Sequence, residues 1–166
     1  MTKDAKKYCM TKAVCFYGIP TAVLCTIIYW FLVKSSFSLS QAAADMPLSI
    51  FITVFICVLS GVPGFKSDIK KGAAPKTTIA SGSGSIYSYL PKATFFQAIW
   101  LGLYATFGYL MIFLGLWLCF FPGLVLPRIA YILVKSLLTA VVVALSIYHA
   151  AAFSLRNAPA KLPYVQ

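Results

Sequence analysis

Between Lys12 and Lys34 the chain runs 21 residues without a charge, and between Asp45 and Lys66 it runs another 20. Two more uncharged runs follow, 35 residues over 93–127 and 20 over 136–155. Crossing a hydrocarbon core of about 30 Å takes roughly 20 helical residues at about 1.5 Å each. A soluble domain, in which about a quarter of residues are charged, does not produce such runs. Here 10 % are charged and 61 % hydrophobic, and the 16 % aromatic content excludes a disordered chain. The predicted fold class is all-α: a polytopic integral membrane protein built as a four-helix transmembrane bundle, residues 1–166 forming one domain.

The spans are placed at about 13–33, 47–63, 95–121 and 129–155. Pro47 is expected to start the second helix and Pro63-Gly64 to stop it, leaving a short span of about 24 Å that needs local bilayer thinning. Pro122-Gly123 breaks the third run after a helix of about 40 Å, long enough to tilt. Pro20 removes a helical hydrogen bond in the first span, so a bend is expected over residues 16–20.

Lysine and arginine set the orientation, because in short loops they stay cytoplasmic. Four crossings with both termini inside place 11 of the 14 basic residues in the cytoplasm and leave Lys34, Arg128 and Lys135 outside. Making the second segment re-entrant would change the split to 6 inside and 8 outside, so four crossings are favoured, in a plasma or inner membrane. The lysine-rich start and Ala42-Ala43-Ala44 imitate a signal peptide, but the apolar run exceeds the usual length of about 7–15 residues. The loop 66–92 has linker composition at residues 80–85. Lys66, Lys70, Lys71 and Lys76 at its start set topology and can attract anionic lipids. No basic helix or aromatic-basic platform lies outside the spans, so nucleic acid is not an expected partner.

Several chemistries fail on residue count. Asp4, Asp45 and Asp68 are the only acidic residues, with Asp4 and Asp68 expected in the cytoplasm and Asp45 outside, so no two can meet inside the membrane for general acid–base work. His149 is the single histidine, so bis-histidine haem ligation is out. The five cysteines form no Cys-x-x-Cys pair. Cys9 and Cys15 flank the first span, where acylation is conceivable and apolar packing is the preferred role. Gly72-Ala-Ala-Pro-Lys76-Thr77 has proline where a phosphate loop needs glycine. The first span lacks the buried carboxylate of a proton-coupled exporter. No catalytic set, cofactor or metal site is expected.

Polar residues inside the spans are the candidate contacts. Lys135, seven residues after Arg128, can snorkel to the headgroups or pair with Asp45 at the entrance of the second helix. Gln97 and His149 are expected at one depth, where a hydrogen bond would join the third and fourth spans. Small residues four apart mark helix-packing surfaces: Gly18, Ala22 and Thr26; Ala98 and Gly102; Ser136, Ala140 and Ala144. Trp100, Tyr104, Phe107 and Tyr109 lie deep in the third span, where they thicken the bundle or line a groove for a lipid tail.

These readings favour a non-enzymatic protein acting through intramembrane helix contacts. It would be an accessory or assembly subunit or an immunity-type partner-binding protein, associated with another membrane protein or with copies of itself. A small oligomeric channel or transporter is the alternative, and a lipid-modifying membrane enzyme the second alternative.

Overall fold

The computed structural model describes residues 1–36, 38–75, 90–112, 115, 119 and 125–157. The segment 80–85, Lys76, Lys161 and most of the predicted third span beyond residue 112 lie outside the described residues. No β-strand occurs among those described.

The first rod is one continuous helical stretch, Lys3–Leu32. It starts ten residues before the apolar run, as helix α1 (Lys3–Thr11), because Thr2 caps it through its side chain at Ala5 N–H and Asp4 sits in the first turn. A π-helical stretch, Lys12–Gly18, then leads into α2 (Ile19–Leu32). This stretch occupies the region where a bend was expected. Pro20 has no N–H to offer the Phe16 carbonyl, and the wider turn redistributes donors so that Ile19 N–H reaches Val14 O.

Helix α3 (Leu39–Lys70) corrects the short second span. Ser38 and Gln41 form a capping box that starts it eight residues before Pro47, and it continues through both Pro47 and Pro63. Each proline removes one backbone donor, but packing on both sides of it offsets the loss. Met46, Ile50, Val54, Val58 and Val62 form a buried stripe at four-residue spacing, and Phe65 extends it past Pro63. Asp68, bonded to Tyr8 and Lys12 of the first rod, ties down the final turn.

After residue 90 the chain enters α4 (Thr94–Tyr104), which widens into a second π-helical stretch, Ala105–Leu110. Helix α5 (Arg128–Arg156) matches the predicted fourth span. It is the centre of the bundle, packing on α3 and on the first rod, whereas α4 lies mainly against α3. Among the described residues, three helices are long and apolar enough to cross a membrane: Lys3–Leu32, Ala44–Lys70 and Arg128–Arg156.

Close approach of the helices rests on small residues. A Cβ on Gly18 would lie 3.3 Å from Ala144 Cβ and 3.7 Å from Ala140 O, and one on Gly102 would lie 3.0 Å from the Phe51 ring. Beyond Gly18 the buried stripe of the first rod runs through Thr21, Cys25 and Tyr29, leaving Ala22 and Thr26 at its half-buried edge. Gly18→Leu is expected to destabilise the protein by about 1–3 kcal/mol. Gly64→Ala, at a position with nothing within 4 Å, should leave the midpoint unchanged or slightly raised. Thermal unfolding of the two variants in detergent checks the contrast.

Candidate functional site

Helix α5 carries Lys135 on its buried face, four residues after Tyr131 and four before Thr139. The lysine is 2 % exposed. Its Nζ donates to Asp45 Oδ2, the same oxygen that accepts a 2.7 Å hydrogen bond from the Tyr131 hydroxyl. From α2, the Tyr29 ring closes the other side, with its centroid 4.2 Å from Nζ. Three elements therefore converge on one ammonium: α3 supplies the counter-charge, α5 the lysine and a second donor, and α2 an aromatic face. A cation held against an aromatic ring and a carboxylate keeps much of what it loses in leaving water.

The pair is asymmetric. The Lys135 side chain is 3 % exposed and that of Asp45 is 42 % exposed, so the carboxylate opens toward the surface and shields the cation behind it. Close to this end, Arg128 donates from Nη2 to Trp30 O at 2.6 Å and stacks its guanidinium 5.1 Å from the Trp30 ring. That bond satisfies a carbonyl in the last turn of α2, where the helix dipole also favours a cation. Ser136, buried beside Lys135, has a hydroxyl with no hydrogen-bond partner.

Gln97 and His149 do not form the expected bond. Gln97 is 1 % exposed, and neither Oε1 nor Nε2 has a partner. The register explains why. Asp45 lies beside Tyr131 and Gly61 beside Ile147, an offset of 86 in each case (131 − 45 and 147 − 61), which puts His149 level with Pro63. Gly102 against Phe51 and Phe95 against Phe55 put Gln97 level with residues 53–56 of α3. The two side chains are thus about 10–15 Å apart in depth at 1.5 Å per residue.

The opposite end has its own polar cluster, which the sequence reading missed. Asp68 accepts from the Tyr8 hydroxyl at 2.8 Å and pairs with Lys12 at 2.9 Å, while Lys66 donates to Thr94 at 3.1 Å. Tyr29 and Tyr131 were missed as well. The signal for Tyr131 was its place one helical turn before Lys135, on the same face. Tyr29 carried no comparable mark. Ala98 is buried on α4, whereas Trp100, Tyr104 and Phe107 stand on the exposed face of that helix and its π-helical continuation. Cys9 is buried and Cys15 exposed, and no group of three metal-binding side chains occurs among the described residues.

Compared with protein-family models, curated proteins and solved structures, the chain matches none.

The arrangement at Lys135 is suited to fastening three helices. Asp45→Asn, which leaves the buried ammonium without a counter-charge, is expected to cost about 3–5 kcal/mol. Lys135→Met should cost less, because the carboxylate it abandons still reaches the surface. The double variant should resemble Lys135→Met alone. Additive losses in a double-mutant cycle of unfolding free energies would remove the pair as a fastening. Gln97→Leu is expected to stabilise the protein by about 1 kcal/mol, since it removes a buried amide without partners; a lowered unfolding midpoint would contradict this.

Proposed function

We propose that the protein acts without catalysis, through contacts of its helices inside the bilayer, as an accessory, assembly or partner-binding subunit. In this reading the segment 95–121 completes a four-helix bundle, both termini are cytoplasmic, and the bundle sits in a plasma or inner membrane. The observation that carries the proposal is the closure of Lys135. The one charge deep within a span is 2 % exposed and engaged by Asp45, which suits a fastening better than the lining of an aqueous path.

The outer surface supports the same reading. On α5, Ile129, Leu133, Leu137, Val141 and Leu145 are all exposed and recur every four residues. The stripe faces away from the core and offers an apolar ridge, inclined to the helix axis, to lipid or to another helix. Small-residue contacts, by contrast, are spent inside the molecule at Gly18 and Gly102.

A photo-crosslinker at Leu137 in native membranes is expected to capture a discrete membrane protein or a second copy of this chain. The same probe at the buried Val143 should capture neither. Solute or ion flux through the purified protein in liposomes, lost on Lys135→Ala, would overturn the proposal in favour of a channel.

A further inference from the structure

We propose that the cleft between α1 and the turn following α3 holds the phosphate of an anionic lipid headgroup. The cleft is a shallow groove of about 440 Å³, largely open to its surroundings, and is lined by Asp4, Lys7, Tyr8, Thr11 and residues 72–75. Lys7 and Thr11 stand one helical turn apart on the same face of α1, and both line the groove. These are the donors available to a phosphate. The Tyr8 hydroxyl is committed to Asp68, and the N–H groups of Gly72, Ala73 and Ala74 are bonded to the carbonyls of Ile69 and Asp68.

The cleft is preformed. Asp68 holds α1 against the end of α3 through Tyr8 and Lys12, and Gly72, with φ of 71°, turns the chain back across the opening. A wall built before the ligand arrives loses less freedom on binding.

Charge identifies the occupant. Tyr8 lies five residues before the uncharged run begins at Ala13, and Gly72 seven after it ends at Phe65, so the cleft sits about 7–10 Å beyond the hydrocarbon boundary. The headgroup layer of one leaflet extends roughly 5–8 Å from that boundary, so the cleft lies at its outer, aqueous edge. Among the described residues, this end carries nine basic groups, four over 3–12, three over 66–71, and Lys92 and Arg156, against Asp4 and Asp68. Such an excess draws anionic lipid in preference to zwitterionic lipid. Asp4, at the cleft's rim, can accept from the hydroxyls of a glycerol headgroup, so phosphatidylglycerol is the apt probe. The inference is independent of any protein partner.

The test reconstitutes the full chain in nanodiscs of equal parts phosphatidylglycerol and phosphatidylcholine and counts retained lipids by native mass spectrometry. Retention of phosphatidylglycerol over phosphatidylcholine is expected, falling about fivefold in Lys7→Gln and less than twofold in the charge-matched Lys6→Gln, whose side chain lies outside the cleft. Equal losses in the two variants would reduce the effect to a diffuse basic surface and overturn the cleft. So would equal retention of both lipids. Inorganic phosphate added to the detergent-solubilised protein separates a soluble ligand from a lipid: a Lys7-dependent rise in unfolding midpoint as large as that in phosphatidylglycerol would refute the lipid assignment.

Discussion

An ammonium group inside an apolar bundle has few stable arrangements, and Lys135 adopts one that uses three helices. Because Nζ, Asp45 Oδ2 and the Tyr131 hydroxyl share one point, α3 and α5 are fixed in rotation and in register there. The same offset recurs sixteen residues on, where Gly61 meets Ile147. A single polar contact at one end and a glycine near the other thus define how two long helices lie side by side. Between them Val54 and Val58 of α3, and Val142 and Val143 of α5, are buried without polar help. In lipid, where apolar surface gains little by leaving its surroundings, such geometric fixing by polar pairs and small residues decides which faces meet.

Much of the architecture was legible from the absence of charge. The runs 13–33 and 136–155 gave two helices whose apolar cores match the chain's fold, since uncharged length is what a bilayer demands. Helix ends were less legible, because they depend on caps rather than hydropathy. Thr2 and Ser38 extend their helices well outside the apolar runs, and Pro63 does not stop α3 because buried Val62, Phe65 and the anchored Asp68 lie on either side of it. Proline weighs a local donor against neighbouring packing, and only the folded arrangement reveals the second quantity.

The candidate contacts divide along the same line. Lys135 and Asp45 could be paired on paper because each is the rare charge of its sign near one end of the bundle. Gln97 and His149 were matched by counting from the nearest basic residues, Lys92 and Arg156. That count assumes that basic residues on different helices lie at one level. Lys66 shows the flaw: its side chain reaches Thr94 although the backbone register of α3 and α4 places Thr94 opposite residues near 56–59. Long flexible cations reach about one turn of helix away from their own backbone, so they mark an end of the bundle well and a depth poorly.

Gln97 and Lys135 show how burial alone fails to predict the sign of a polar residue's contribution. Both are almost fully buried, yet Lys135 is paired with Asp45 and lies against the Tyr29 ring, whereas the Gln97 amide has no hydrogen-bond partner. Removing the counter-charge of Lys135 exposes a full ionic desolvation cost, whereas removing the Gln97 amide relieves one, and a leucine would fill much of the same volume. The bundle is therefore held most tightly at the Asp45 end by a completed polar contact, and at the Asp68 end by Tyr8 and Lys12. At the level of Gln97, between those two fastenings, the amide itself adds no polar restraint, and Thr21 Oγ1 meets Cys57 Sγ close by at 3.9 Å.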